Sequence, residues 1–239
     1  MLDIFKKLYK GALSEFWELT EQKLKNSQKM FIVTANPEIF SLANKEQNVR
    51  DMLMDDDTTI IADGIGVVKG AGMLGINVAE RIPGVELSEH LLKTGNSLQK
   101  SIFLFGAKSD VLDLLCEKIK VQYPRLNIIG SCDGYADDKD AVFEQIKELE
   151  PDIVLVALGV PAQEMLIYKH IKDLGRGIFV GVGGSFDVLS GAKQRAPEFF
   201  IKHNLEWFYR ILKEPKRIKR FYNNNIKFLF EVRRLKSKK

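Results

Sequence analysis

Residues 152–164 read DIVLVALGVPAQE, and this stretch decides the fold. An unbroken apolar run ends at a glycine and a proline, and a helix-compatible segment follows. Such a run is typical of a strand in a parallel sheet that has helices on both faces. Five other runs have the same form: MFIVTAN (30–36), TTIIADG (58–64), SIFLFGA (101–107), LNIIGSCDG (126–134) and GIFVGVGG (177–184). Helical patterns occur between them, near 38–54, 84–98, 109–122, 139–149 and 162–174.

Alternating strands and helices predict an α/β fold with a Rossmann-like, doubly wound, mainly parallel sheet. In such sheets ligands bind beyond the carboxyl ends of the strands. The residues expected around this crevice are Thr34, Asn36, Asp63, Gly64, Gly106, Asp133, Gly159 and Gly183.

The end of the chain has a different pattern. Residues 193–239 contain fifteen Lys and Arg but four Asp and Glu, a local net charge of +11, whereas the whole chain has +4. Aromatic residues are interleaved with these cations, and no strand pattern remains. Pro197 and Pro215 can each begin a helix, so we expect one helix over 197–212 and a second through about 234. This end is typical of a surface that binds an anionic, partly apolar partner.

Three parts follow from these patterns. They are an N-terminal helical segment (1–29), a Rossmann-like domain (30–195) and a basic helical appendage (196–239). No apolar run reaches the ~18–20 residues of a spanning helix, and the first residues do not have the form of a signal peptide. We therefore expect a cytoplasmic protein that meets a membrane only at its surface.

Short polar side chains lie at the first two predicted strand ends. Thr34 and Asn36 flank the strand end in TANPE, where they either contact a ligand or serve only to cap the next helix. Asp63 ends the second strand, and a partly desolvated carboxylate there suits a general base. Its alternative role is a helix cap. The glycine spacing after Asp63 does not match the dinucleotide-binding fingerprint.

Arginine and amide side chains offer further contacts. Arg81 in AERIPG can bind a phosphate or carboxylate through two nitrogens, or form a surface ion pair with Glu80 or Glu86. The amide of Gln163 can contact a sugar or base edge. Glu164 is expected to favour the start of its helix electrostatically.

Two further stretches extend the predicted site. Gly183 and Gly184 allow the backbone to approach a ligand closely, and Asp187 can accept hydrogen bonds from ribose hydroxyls. In the basic end, Arg210, Arg217 and Arg220 would share one face of a continuous helix and bind a diphosphate, unless that face is merely solvated. Asp55, Asp56 and Asp57 precede the second strand, away from the predicted site, so we expect a solvated loop there and not a metal site. We also predict no cofactor.

Taken together, the ordered motifs resemble the WecG/TagA/CpsF family of glycosyltransferases, and most closely its teichoic-acid TagA branch. The motifs are TANPE, ADGIGVVKG, ERIPGVEL, FLFGA, GYADD, LGVPAQE, GVGGSFDVLSG, RAP and EWFYRILKEPKR, over about residues 30–220. The resemblance implies metal-independent, inverting transfer of N-acetylmannosamine from its UDP sugar to undecaprenyl-diphosphate-linked N-acetylglucosamine. This reaction would be an early step of wall teichoic acid synthesis at the inner face of the bacterial membrane.

The resemblance also assigns roles to residues. It places the general base at Asp63 and active-site contacts at Thr34, Asn36, Arg81 and Gln163. Three arginines of the appendage, Arg210, Arg217 and Arg220, match the family's substrate-binding arginines. One departure concerns residues 1–29, which are helical here where relatives begin with a hairpin-like segment. That departure leaves open how the sheet edge is closed and how subunits of a homo-oligomer would pair.

Three alternatives remain open at this point. The motifs do not name the sugar, so the donor could carry N-acetylmannosamine uronic acid or another hexose. A nicotinamide-dependent oxidoreductase could use the same sheet. A nucleic-acid-binding module could use the basic end, although we expect no nucleic-acid partner. The predicted partners are a UDP-sugar donor, a lipid-linked diphosphate sugar acceptor and an anionic membrane surface.

Overall fold

The computed structural model describes residues 1–203, 205–215, 218 and 222–237, and of Arg210, Asn223 and Asn224 it describes only the backbone. Six strands lie where the apolar runs predicted them: β1 (Met30–Ala35), β2 (Thr58–Ala62), β3 (Ser101–Gly106), β4 (Asn127–Cys132), β5 (Ile153–Ala157) and β6 (Ile178–Gly181). They form one parallel sheet in the order β2-β1-β6-β5-β3-β4. The predicted doubly wound α/β fold is confirmed.

Helices cover both faces of this sheet. In chain order the helices of the described residues are α1 (Leu2–Lys7), α2 (Leu13–Lys25), α3 (Pro37–Ala43), α4 (Gln47–Met54), α5 (Ile65–Met73), α6 (Gly84–Ser97), α7 (Ser109–Gln122), α8 (Lys139–Leu149), α9 (Ala162–His170), α10 (Ser185–Ser190), α11 (Glu198–Lys202), α12 (Glu206–Lys213) and α13 (Lys227–Lys236). A 3₁₀ turn (Ile171–Asp173) follows α9, and a π-helical turn (Tyr222–Ile226) precedes α13.

The sheet separates two apolar cores. Successive side chains of a strand point to opposite faces, so Phe103 and Phe105 pack in one core while Ile102 and Leu104 pack in the other. All four side chains are fully buried. Because both faces of each central strand need apolar residues, the strands appear in the sequence as continuous apolar runs rather than alternating ones.

The two edges of the sheet differ. At the β2 edge, Leu8 forms a parallel bridge with Ile60, and the Tyr9 backbone N–H donates to the Ile60 carbonyl at 2.8 Å. The N-terminal segment therefore closes this edge, which answers the question left open by the sequence. At the other edge, the pairing of β4 with β3 shifts register after Ile128, a bulge in the edge strand itself.

Two predicted helices are interrupted. The pattern over 38–54 forms α3 and α4 instead of one helix, because the chain turns at Asn44 and is extended at Glu46. The helix expected over 197–212 is likewise two helices, α11 and α12. The single helix expected over 197–212 is therefore wrong, whereas the shared face expected for Arg210, Arg217 and Arg220 stays a prediction.

The terminal segments share a core with the sheet. Phe228 and Val232 of α13 are fully buried, and the Phe228 ring lies 6.0 Å from that of Phe5 and 5.5 Å from that of Phe40. The division into three parts at residues 29 and 195 stays a prediction. Within the described part of the chain, no helix has the length and apolar character needed to span a bilayer.

Candidate active site

The site lies at the carboxyl ends of β1, β2 and β6. Asp63 follows β2 directly, and its Oδ1 accepts a hydrogen bond of 2.8 Å from the backbone N–H of Gly84, the first residue of α6. The carboxylate is half-buried. It thus caps a helix that begins 21 residues later, and this bond fixes it at the mouth of the crevice. The positive end of the α6 dipole favours negative charge at this point.

Thr34 lies beside this cap. A methyl group built on Gly84 would be 3.5 Å from Thr34 Cγ2 and 3.7 Å from Ser185 Oγ, so β1, α6 and α10 meet there. The buried Thr34 hydroxyl donates to the Gly181 carbonyl at 2.8 Å. Asn36 caps α3, since its Oδ1 accepts from the backbone N–H groups of Glu38 and Ile39. Its capping role, one of the two predicted alternatives, is present in the structure.

Arg81 connects the crevice to the appendage. The loop that carries it runs along the end of β2, where the Ile82 N–H donates to the Ala62 carbonyl at 2.7 Å. Arg81 Nη2 lies 3.3 Å from Oε2 of Glu206 in α12, and both side chains are largely buried. The ion pair with Glu80 or Glu86 that we considered is replaced by this one. Glu206 was not a predicted site residue, because its partner lies 125 residues away.

Gln163 holds two loops together. Its Oε1 accepts from the Gly159 N–H at 3.1 Å and from the Gly183 N–H at 3.0 Å, and its side chain is buried. Its Nε2 donates to Oε1 of Glu164 at 2.7 Å. The amide is therefore engaged with its own protein rather than open to a sugar or base edge, which differs from the direct contact we expected.

The β6 end of the site borders a cavity of about 320 Å³. This size is at the lower end of the range for ligand pockets. Its lining includes Gly184, Asp187, Lys193, Arg195, Tyr209 and Lys213. Lys193 pairs with Asp187 at 3.2 Å, and Arg195 pairs with Glu86 at 2.6 Å. Glu214 also lines the cavity, so its three cations face two carboxylates and the lining carries a net charge of +1.

Two predicted site residues, Gly106 and Asp133, follow strands that are distant from β2. Gly106 ends β3, and a methyl group on it would come within 2.4 Å of the Ala157 carbonyl oxygen, so this close approach requires glycine. Asp133 follows β4 and accepts from the Tyr135 N–H at 2.8 Å. The sheet order puts Gly106 and Asp133 about 19–24 Å from the end of β2. The two therefore border the far end of the crevice.

The appendage also reaches the crevice at its other end. Gly64 and Gly66 follow Asp63, and a methyl group built on either would lie 3.4 Å or 3.2 Å, respectively, from the ring of Pro37. A methyl group on Gly66 would be 3.6 Å from Asn225 Oδ1, in the π-helical turn. Two parts of the basic end, this turn and α12, thus border the crevice. Arg217, Arg220 and the side chain of Arg210 lie outside the described residues.

Comparisons with known proteins identify the family of this chain. The chain matches the glycosyl transferase WecG/TagA/CpsF family over residues 5–239. A Bacillus subtilis protein is 42% identical over 189 residues, which cover 79% of this chain and 73% of that protein. A Staphylococcus aureus protein is 38% identical over 214 residues, covering 89% and 83%. Both are named N-acetylglucosaminyldiphosphoundecaprenol N-acetyl-beta-D-mannosaminyltransferase.

The chain belongs to the WecG/TagA/CpsF family of glycosyltransferases. The resemblance predicted from the ordered motifs is confirmed, and the protein is an enzyme that transfers a sugar.

Proposed function

We propose that this enzyme transfers N-acetylmannosamine from UDP-N-acetylmannosamine to N-acetylglucosamine carried on undecaprenyl diphosphate. The names of the Bacillus and Staphylococcus relatives support this choice of sugar and acceptor. The observation that carries the proposal is the position of Asp63, a half-buried carboxylate fixed at the crevice by the Gly84 N–H. The product would enter synthesis of wall teichoic acid or a related surface polysaccharide.

In this mechanism Asp63 takes the proton from the attacking hydroxyl of the acceptor sugar. That oxygen displaces UDP from the opposite side of the anomeric carbon, so the configuration inverts. General base catalysis typically contributes ~10²–10⁴ in rate. The hydrogen bond from Gly84 keeps the carboxylate in one orientation, and Thr34 lies beside the same helix start.

The leaving diphosphate needs positive charge. The cations that border the crevice are Arg81 and, around the cavity beside α10, Lys193, Arg195 and Lys213. Arg210, Arg217 and Arg220 are proposed to add to them. Fixed cations and helix N-termini stabilise charge as it develops, because they need no reorganisation during the reaction. In this proposal no divalent ion takes part.

The proposed membrane contact is the exposed aromatic surface of the appendage. The exposed large apolar side chains among its described residues include Phe199, Trp207, Phe208, Leu212, Ile218, Tyr222 and Phe230. Aromatic and cationic side chains together favour the interface of an anionic membrane. We propose that this surface holds the enzyme on the cytoplasmic face, where the lipid-linked acceptor is found.

Asp63→Asn tests the base directly. Asparagine keeps an oxygen that can accept from the Gly84 N–H, so the fold and UDP binding should be retained while turnover falls at least 100-fold. Asp55→Asn is the control, because Asp55 lies at the amino end of the same strand, away from the crevice, and also accepts from a backbone N–H. Near-native turnover of Asp63→Asn would refute the assignment.

A sugar-donor screen tests the substrate. Several UDP sugars are incubated with a short-chain lipid diphosphate N-acetylglucosamine, and the lipid disaccharide is measured. We expect product with UDP-N-acetylmannosamine; product with only another UDP sugar would leave the site assignment intact and change the sugar. Activity that is lost with EDTA and restored by manganese would refute the metal-independent mechanism.

A further inference from the structure

Glu164 is a carboxyl group buried without a cation. Its side chain is fully inaccessible to solvent, and its Oε2 atom has no hydrogen-bond partner among the described residues. No Lys or Arg in the described part of the chain forms an ion pair with it. The charged group that faces it is another acid, Glu38 at the start of α3. Burial raises the pKa of Glu164 to about 7, Glu38 adds to the rise, and hydrogen bonds from Gln163 and its own backbone N–H oppose it.

A carboxyl group in this environment costs stability. Burial of a charge without a compensating cation is unfavourable, and an apolar side chain of similar size would cost less. Such costs are found where a site needs a particular geometry rather than maximal stability. The contacts of Glu164 therefore indicate what its carboxyl group does.

Its acceptor oxygen selects one orientation of a neighbouring amide. Gln163 has an oxygen on one side and an NH₂ group on the other, and only the oxygen can accept from the Gly159 and Gly183 N–H groups. In the reversed orientation, the NH₂ group of Gln163 would face these two backbone N–H groups, and neither would have an acceptor. Glu164 Oε1, 2.7 Å from Gln163 Nε2, requires the NH₂ group on its own side and so keeps the amide oxygen towards the two loops.

The pair lies directly behind the site. A methyl group on Gly181 would be 2.8 Å from Gln163 Nε2 and 2.9 Å from Glu164 Oε1. The carbonyl of the same Gly181 accepts from the Thr34 hydroxyl at 2.8 Å. The buried carboxyl–amide pair thus connects the ends of β5 and β6, and the hydrogen bond from Thr34 connects β6 to β1.

We infer that Glu164 is a positioning residue: through the amide of Gln163 it fixes the β5–α9 and β6–α10 loops in the geometry that binds the sugar nucleotide. The nucleotide part of this inference rests on the proposed function, whereas the effect on the loops does not. Glu164 itself does not contact the substrate, since its side chain is fully buried.

Hydrogen–deuterium exchange and UDP titration test the inference on the full chain. Glu164→Leu removes the acceptor, and we expect the Gly159 and Gly183 amides to exchange at least tenfold faster and the Kd for UDP to rise about tenfold. Glu164→Gln retains an oxygen that can face Gln163 and should stay within about threefold of the wild type in both measurements. The comparison of Glu164→Gln with Glu164→Leu thus shows whether the loops depend on the acceptor oxygen of residue 164 or only on the volume of its side chain.

A double variant tests whether Glu164 acts through Gln163. Gln163→Leu should weaken UDP binding as Glu164→Leu does, and the two together should be less than twofold worse than either alone. Independent, multiplicative effects would overturn the inference, and so would unchanged exchange of the two glycine amides in Glu164→Leu. If the two amides exchange faster in Glu164→Leu but the wild-type protein does not bind UDP, the proposed function is refuted and the role of Glu164 in the loops is retained. Thermal unfolding of each variant confirms that it is folded.

Discussion

Arg81 and Glu206 form an ion pair of 3.3 Å that joins the loop after α5 to helix α12. The exposed fractions of the two side chains are 16% and 11%, so water screens the pair only weakly. An arginine proposed to hold the leaving diphosphate thus has a carboxylate of the appendage beside it. The position of α12 and the orientation of this arginine depend on each other.

Glu206→Gln should lower both stability and activity. The change leaves a largely buried guanidinium without its charged partner, which we expect to cost about 1–3 kcal/mol in the free energy of unfolding. Activity should fall because Arg81 is less well oriented. Urea unfolding and initial rates measure the two effects. Glu198→Gln is the control, because its pair with Lys202 on α11 is solvent-exposed and should contribute little. Equal effects of the two substitutions would contradict the prediction.

Glu164→Gln should change the pH dependence of stability. The folded pKa of about 7 lies above the ordinary value of 4.5, so the native state binds more protons than the unfolded state between these values. Stability from this group is therefore greatest at low pH and falls as pH rises through 7, by on the order of 3 kcal/mol in total. Glutamine does not titrate. The stability of the variant relative to wild type should thus increase from pH 5 to pH 8 in urea unfolding; a constant difference would refute this prediction.

Gly181→Ala should weaken UDP binding. The new methyl group would collide with the buried Gln163–Glu164 pair at 2.8–2.9 Å, so the amide must move and release the loops. We expect a loss of about tenfold in affinity, measured by calorimetry. Gly72→Ala is the control, because nothing lies within 4 Å of the added methyl in helix α5. That substitution should leave binding unchanged and raise stability by up to about 1 kcal/mol. Unchanged affinity of Gly181→Ala would contradict the role of the pair.

Charges on the outer face of α12 should release the enzyme from membranes. Phe208 and Leu212 are 41% and 59% exposed and lie four residues apart on this helix. The double substitution Phe208→Glu with Leu212→Glu should abolish sedimentation with anionic vesicles. Deletion of the whole basic end is a poorer test, because Phe228 and Val232 belong to the core. Val121→Glu on α7, where the side chain is 80% exposed, controls for added negative charge. Unchanged sedimentation of the double variant would refute the proposed membrane surface.

Much of the fold could be predicted from the sequence because its determinants are local. Each buried strand needs an apolar run bounded by turn residues, and all six runs became strands. The helix break near His203 could not be predicted, since Ile201 and Leu205 keep helical spacing across it. The polar run at 44–48, by contrast, is a signal of the break between α3 and α4 that the analysis of apolar runs missed. The closure of the sheet edge by Leu8 depends on a contact with Ile60, 52 residues away, which no local pattern specifies.

The candidate site shows the same limit. The sequence predicted Asp63 and Thr34 at neighbouring strand ends, because the carboxyl ends of parallel strands lie side by side at one end of the sheet. It could not specify that Asp63 accepts from Gly84 or that Arg81 pairs with Glu206. Gln163 and Glu164 are adjacent in sequence, yet their roles depend on Gly181 and Gly183 in another strand and its loop. Hydrogen-bond partners far apart in the chain are therefore what the structure adds.

The two sheet edges have a consequence for how the protein behaves when crowded. Unpaired strand edges are templates on which further chains can add and polymerise. Here residues 8 and 9 pair with the β2 edge, and a bulge interrupts the β4 edge. Neither edge therefore offers a long regular row of free backbone groups to a neighbouring molecule. On the membrane surface that we propose for this enzyme, we therefore expect neighbouring copies not to add strand to strand.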